Sequence, residues 1–207
     1  MRVAIADDEQ ELLGQFSSVV TRAGHEIETF RNGSDLLNAL KRETYDVILL
    51  DWNMPGKTGI EVLEWASDNL TPMPPFILIT SRHEEGDIVR GLEAGAVDYI
   101  IKPESDEVIR ARINAAGRRT TDSSPARFAN FGVYELDRTE MSIKKGDERI
   151  KLTGKEFELA DLFFSNLDRP MSRGYIFSRV WGGHVDLETR TIDVHISGLQ
   201  IELCAQP

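Results

Sequence analysis

Cysteine is almost absent: Cys204 is the single one in 207 residues, which excludes an intramolecular disulfide. Four scattered histidines leave no Cys/His cluster at structural-zinc spacing. Any metal this chain holds is therefore a hard, oxygen-bound one. Long apolar runs are missing too. The longest, such as Val47–Leu50 and Phe76–Ile79, fall far below the roughly 18 residues that span a bilayer. Asp7, Asp8 and Glu9 interrupt any secretory h-region, so a cytoplasmic location is expected. Positive charge is scarce. Lys and Arg number 24 against 35 Asp and Glu, a net charge of −11, which argues against a generic binder of nucleic acid or anionic membrane. Residues 1–120 carry 13 basic and 21 acidic groups (−8) and residues 121–207 carry 11 and 14 (−3), so neither half is a basic domain.

What remains is an ordinary globular composition, 41% hydrophobic and 29% charged, long enough for one large domain or two small ones. The first 120 residues alternate short apolar runs with amphipathic stretches of about a dozen residues, the pattern of a parallel α/β sheet. Strands are predicted near Val3–Ala6, Glu26–Phe30, Val47–Leu50, Phe76–Thr80 and Tyr99–Ile101. Helices are predicted near Glu11–Arg22, Ser34–Arg42, Gly59–Asn69, Glu84–Ala94 and Glu104–Ala116. The fold class expected is a five-stranded, doubly wound parallel sheet over residues 1–119. A small, polar run then reads as a linker over 120–129. Residues 130–207 form a second, smaller α+β domain. A short antiparallel meander comes first, then a Thr153-Gly-Lys-Glu156 capping box opening a helix, then a helix-turn-helix pair with a last helix from about Thr189 to Leu203. Three helices behind a small sheet suggest a winged-helix arrangement.

In an open parallel sheet the functional crevice lies beyond the carboxyl ends of the strands. Strand 1 exits into Asp7-Asp8, strand 3 into Asp51, strand 4 into Thr80-Ser81 and strand 5 into Lys102-Pro103. Three carboxylates at close quarters repel unless a cation neutralises them, and Mg²⁺ suits a few carboxylates plus waters and phosphate oxygens. An Asp beside such an ion can attack phosphorus and give an acyl phosphate. On this reading Asp51 is the nucleophile, Asp8 a direct ligand, and Asp7 a ligand or orienting group. Lys102 pairs with a phosphoryl oxygen and Thr80 hydrogen-bonds it.

Asp7-Asp8, Asp51-x-x-Met54-Pro55-Gly56, Gly59, Thr80, Tyr99 and Lys102-Pro103 resemble the receiver domain of two-component response regulators. The resemblance implies phosphorylation of Asp51 by a partner sensor histidine kinase, Mg²⁺ dependence with the backbone carbonyl of Asn53 as a further ligand, and a cis Lys102-Pro103 bond. It also implies a switch from the phosphoryl group through Thr80 to Tyr99, which turns inward. Arg82 and Asn53 flank the pocket and are expected to tune phosphoryl lifetime. Asp98 and Arg112 match positions of an inter-subunit ion-pair network that holds an active homodimer through the face of helix 4, strand 5 and helix 5. Other positions of that network, Ile88, Val97, Val108 and Asn114, are uncharged here.

Leu152-Thr153-x-x-Glu156-Phe157, Arg179-Val180-Trp181-Gly182 and Thr189-Arg190-Thr191-Ile192-Asp193-Val194-His195-Ile196 resemble the winged-helix output domain of the OmpR/PhoB subfamily. This implies promoter DNA as partner, read by Arg190, Thr191, Val194, His195 and Ser197 on the recognition helix, with Ile192 and Ile196 facing the core. Two departures stand out. The helix continues Ser197-Gly198-Leu199-Gln200-Ile201-Glu202, where the subfamily usually places several Arg or Lys, so phosphate contacts and salt dependence should both be weaker. Ending at Pro207, the domain reads as truncated before the wing hairpin. Three functions are therefore weighed. The first is a phosphorylation-dependent transcription regulator, which is not an enzyme beyond self-catalysed chemistry at Asp51. The second is a phosphosignalling interaction protein whose winged helix binds protein. The third is a phosphohydrolase, which would place its nucleophile after strand 1 with an Asp two residues on, where this chain has Glu9.

Overall fold

The computed structural model describes residues 1–81, 85–121, 126–150, 152–167, 169–182 and 190–204, the side chains of 85, 119–121, 190, 201, 202 and 204 excepted. The chain divides into two compact units, Met1–Asp122 and Ser123–Pro207.

In the first unit the strands β1 (Arg2–Ala6), β2 (Glu26–Phe30), β3 (Val47–Asp51), β4 (Phe76–Thr80) and β5 (Asp98–Ile101) pair in parallel, in the order β2-β1-β3-β4-β5. The order reverses between β1 and β3, which register Val3 on Val47 through Ala6 on Leu50, so the crevice opens beyond Ala6 and Leu50. β3 and β4 are buried along their whole length, as central strands covered on both faces must be. One face is covered by α1 (Gln10–Arg22) and α5 (Asp106–Thr121), whose Leu13, Phe16, Val19, Ile109 and Ile113 pack on Val3, Ile5, Leu49 and Ile77. The other carries α2 (Gly33–Leu40), α3 (Gly59–Asn69) and α4 (Glu85–Glu93), with Leu36, Leu40, Ile60 and Leu63 on Ala4, Ile48, Leu50 and Leu78. Each such fully buried aliphatic side chain contributes about 1.5–3 kcal/mol.

The amino ends of the strands are tied together. Arg2 donates to Glu43 at 2.5 Å and Glu28 at 2.7 Å. Its guanidinium also lies over the Tyr45 ring, 4.8 Å from the centroid, and Tyr45 donates its hydroxyl to Glu28 at 2.8 Å. Burial and the Glu28 bond push the Tyr45 phenol well above its ordinary range.

The second unit opens with the antiparallel meander β6 (Phe128–Phe131), β7 (Tyr134–Asp137), β8 (Ser142–Lys145) and β9 (Glu148–Ile150). The helices α6 (Gly154–Phe164), α7 (Arg173–Trp181) and α8 (Arg190–Cys204) follow. Leu136, Ile143, Phe157, Leu159, Ile176, Val180, Ile192 and Leu199 form its core. The expected capping box is present: Thr153 accepts from the Glu156 amide, and the Glu156 carboxylate accepts from the Thr153 amide. α7 ends at Gly182, whose left-handed backbone (φ 71°) stops the helix. Two expected boundaries shift. α5 continues to Thr121 and β6 begins at Phe128, so the polar run read as a linker over 120–129 is entered by regular structure from both sides. Arg118, Arg119, Thr120 and Thr121 cost little enough in a last helical turn to extend it. Residues 122–125 lie outside the described ones.

Candidate phosphoacceptor site and output helix

Parallel pairing of β1 and β3 carries Asp7 and Asp51 to the same end of the sheet, one just past its strand and one at its strand's last residue. The loop after Asp51 folds straight back. Gly59 donates its amide to the Trp52 carbonyl at 3.0 Å, and a Cβ at Gly59 would lie 2.2 Å from the Asp51 carbonyl oxygen. Only glycine fits there. Thr58 and Glu61 close a capping box on the same turn, which fixes the first turn of α3 against the exit of β3.

Asp7 is fully buried and Asp51 is 4% exposed, while Asp8 is exposed. One ligand oxygen of each lies within 4.8 Å of the others. Lys102, at the exit of β5 next to a cis Lys102-Pro103 bond, reaches across with its ammonium 2.7 Å from Asp7 Oδ2 and 2.8 Å from Asp51 Oδ1. The Asn53 amide donates to Asp51 Oδ2 at 2.9 Å. Burial pushes the Asp51 carboxyl up to about 6; Lys102 pulls it down, and neighbouring Asp7 adds to the rise. Burial also works against the Lys102 ammonium, but its bonds to Asp51 and Asp7 outweigh that and hold it above the ordinary lysine range. The two shifts are compatible, because one ammonium gains from two carboxylates while each carboxylate receives only a share of one ammonium.

These residues fit a hard divalent cation. Asp7 Oδ2 is buried, and the Lys102 ammonium 2.7 Å away is the cation that now neutralises it. The donor set is entirely carboxylate oxygen, the chemistry that suits Mg²⁺. Thr80 ends β4, next to β5, and is 1% exposed. Tyr99 is 9% exposed and belongs to the core cluster with Leu78 and Ala96. The inward placement that the resemblance gives to the switched state is thus already the one present. Arg82 lies outside the described residues.

The two residues expected at a dimer interface meet within one chain. Arg112 Nη1 donates to both carboxylate oxygens of Asp98 in its own chain, at 2.7 and 2.8 Å. Asp98 opens β5 and Arg112 stands on the second turn of α5, so the fold brings the two charges together without a second subunit. The sequence does not signal this, because 14 residues separate them. Nor does it signal that Glu9 Oε1 accepts from Lys102 Nζ at 3.2 Å.

In the second unit the expected inward faces hold. Ile192 and Leu199 are buried and Ile196 packs against them. Of the expected DNA-facing residues, Val194 is 68% exposed, Ser197 is exposed and Thr191 is half-buried. Arg190 is helical, and its side chain lies outside the described ones. His195 is drawn partly inward: its Nδ1 bonds the Thr191 carbonyl at 2.8 Å and its ring meets Trp181 edge-on at 5.3 Å. Asp193 pairs with Arg173 of α7, which removes a cation from this surface. Gly198 is more than a weak helix former, since a Cβ there would lie 2.8 Å from Glu156 Oε1, an end already held by the capping box. α8 crosses α6 at that point. No helix among the described residues is long and apolar enough to cross a membrane.

Two family models match the chain: the response regulator receiver domain over residues 3–114 and the C-terminal domain of transcriptional regulatory proteins over residues 147–207. The chain is 34% identical over 200 residues to the phosphate regulon transcriptional regulatory protein PhoB of Escherichia coli, covering 96% of this chain and 87% of that one. It is 36% identical over 216 residues to the probable transcriptional regulator ycf27 of Guillardia theta, covering 100% and 84%. Among solved structures, the response regulator DrrB of Thermotoga maritima, an OmpR/PhoB homologue, aligns over 97% of this chain and 88% of its own at a TM-score of 0.51 and 26% identity. The chain thus belongs to the response regulators of the OmpR/PhoB subfamily, which join a phosphosignalling receiver domain to a DNA-binding transcriptional regulatory domain.

Proposed function

We propose that Asp51 is the phosphoacceptor of this regulator and that a partner sensor histidine kinase supplies its phosphoryl group in a Mg²⁺-dependent reaction. The observation that carries the reading is the meeting of Asp7, Asp8, Asp51 and Lys102 at the switch point of the sheet, with Asp7 and Asp51 buried around one ammonium. Asp7, Asp8, Asp51 and the Asn53 carbonyl would hold the ion, which supplies charge neutralisation for the phosphoryl oxygens when bound. Asp51 presents a carboxylate oxygen to phosphorus. Lys102, released from Asp51, pairs with a phosphoryl oxygen, and Thr80 donates its hydroxyl to another. The added charge, about −1.5 to −2, acts on the Thr80 and Tyr99 side of the sheet and shifts the face of α4, β5 and α5.

That face carries exposed Val89, Leu92 and Ile101 and would form a homodimer on phosphorylation, with Asp98 and Arg112 available to exchange partners. In the second unit α8 would enter the major groove of promoter DNA through Arg190, Thr191, Val194, His195 and Ser197. The site is cytoplasmic on this reading, where the kinase's cytosolic module and the chromosome are both reached.

The test is fluorescence anisotropy of the full chain on DNA from upstream of its own gene, over a salt series, with and without acetyl phosphate and Mg²⁺. Binding should strengthen on phosphorylation and lose that response in Asp51→Asn. Asp51 phosphorylation without DNA binding in either state would favour a protein partner for α8, in keeping with its single Arg and its exposed Val194.

A further inference from the structure

We infer that Glu9 is a positioning residue for Lys102 and a restraint on phosphoryl entry at Asp51; the inference rests on the phosphoacceptor reading above. Glu9 occupies the N-cap position of α1 with an extended backbone (φ −83°, ψ 109°), yet its side chain makes no cap hydrogen bond. Ser, Thr, Asp or Asn at such a position normally accepts from the first turn of the helix. Here the side chain turns the other way. Its Oε1 accepts from Lys102 Nζ at 3.2 Å, while the Glu9 amide donates to Asp7 Oδ1 at 2.9 Å. Backbone and side chain are thus both tied into the pocket.

An ammonium has three donors, and three carboxylates stand around this one: Asp7 at 2.7 Å, Asp51 at 2.8 Å and Glu9 at 3.2 Å. The resting lysine is fully engaged before a phosphoryl group arrives. Asp7 and Asp51 are buried, whereas the Glu9 side chain is 61% exposed. The Glu9 contact is therefore the one that can open by swinging into water, and its negative charge stands at the mouth of the pocket. When acetyl phosphate is the donor, an Asp51 carboxylate oxygen forms a bond to phosphorus, the bond from phosphorus to the acetyl oxygen breaks, and acetate leaves with the electron pair. No proton or electron carrier is required. Glu9 opposes this step twice, by repelling the anionic donor and by competing with its oxygens for Lys102.

The two effects separate in kinetics of the full chain at saturating Mg²⁺, with Asp51 phosphorylation followed by mass over a range of acetyl phosphate and salt concentrations. Glu9→Gln removes the charge and should lower the half-saturating donor concentration about fivefold while flattening its salt dependence. Glu9→Asp keeps the charge but shortens the reach, and should leave half-saturation near wild type while raising the saturating rate. Beryllofluoride, an anionic phosphoryl mimic, should bind Glu9→Gln more tightly by calorimetry. Half-saturation, salt dependence and beryllofluoride affinity all within about twofold of wild type would overturn the assignment. So would a changed melting temperature with unchanged kinetics, which would make Glu9 a helix-start residue alone. Failure of the wild type itself to take a phosphoryl group at Asp51 would overturn the phosphoacceptor reading and this inference with it.

Discussion

The pocket at the end of the parallel sheet and the exposed side of α8 use charge in opposite ways. In the pocket, buried Asp7 and Asp51 crowd beside exposed Asp8 and share one lysine, an arrangement of like charges that could hold a metal ion. On α8, charge is thin: Arg190 is the only Lys or Arg in the helix, and the acid beside it, Asp193, is paired with Arg173 of α7. Chemistry demands particular groups at particular distances and leaves little freedom of composition. Groove binding is a sum of many weak phosphate contacts, and it can be reduced one contact at a time.

The contrast can be broken at the pocket first. Asp51→Asn should abolish acetyl phosphate labelling altogether, read as loss of the phosphoryl mass increment in the full chain. Retained labelling at another residue would move the phosphoacceptor elsewhere. Lys102→Ala should cost about 3–5 kcal/mol of stability at pH 7 without Mg²⁺, because it leaves buried Asp7 and Asp51 without their counter-charge. Mg²⁺ should return a large part of that loss by binding the folded state. Urea unfolding with and without the ion measures both.

The raised Asp51 carboxyl gives a pH signature. Its folded pKa, about 6, lies above the ordinary value of 3.8, so between these values the folded state holds more protons than the unfolded one. Stability contributed by this group is therefore present below pH 4, falls as pH rises toward 6, and stays lower above it, by about 2–3 kcal/mol. In the absence of Mg²⁺, wild type should lose that much more stability than Asp51→Asn between pH 4 and pH 7. Equal losses would show that Lys102 compensates Asp51 fully.

On α8 the contrast can be sharpened by adding what is scarce. Ser197→Arg should strengthen DNA binding and steepen the slope of log K against log salt by about 1, measured by anisotropy. An unchanged slope would mean that this side of α8 does not face phosphate. The smallest effect is expected at Gly198. Helix propensity alone predicts that Gly198→Ala gains about 1 kcal/mol, but the added Cβ would press on Glu156 Oε1, so the substitution should be neutral or slightly destabilising. The gain should appear when Glu156→Ala is made in the same chain, which a thermal-unfolding double-mutant cycle tests.

Much of this was legible in the sequence because it was local. Strand exits ending in Asp, Thr and Lys can be read off the chain once the strand order is guessed, and the apolar runs of β3 and β4 make their central place plain. The capping box at Thr153 and the inward Ile192 and Leu199 follow from spacing alone. The long-range pairings were not legible. Arg112 finds Asp98 and Glu9 finds Lys102 because the sheet folds distant segments together, and nothing in the spacing of 14 or 93 residues announces it. Gly198 read as a weakness of α8 for the same reason: its close approach to Glu156 belongs to the crossing of two helices. His195 read equally as a groove residue or as a core-edge hydrogen bonder, and its turn toward Trp181 depends on where α7 ends.

The knot of Arg2, Glu28, Glu43 and Tyr45 at the amino ends of the strands has a mechanical consequence. It clamps β1 to β2 and to the segment entering β3 at the edge of the sheet farthest from the acidic pocket. A board clamped at one end bends at the other. On the phosphoacceptor reading, any displacement on loading of Asp51 should be largest at the carboxyl ends of the strands of this unit and in the helices that start there, and smallest at the clamped ends.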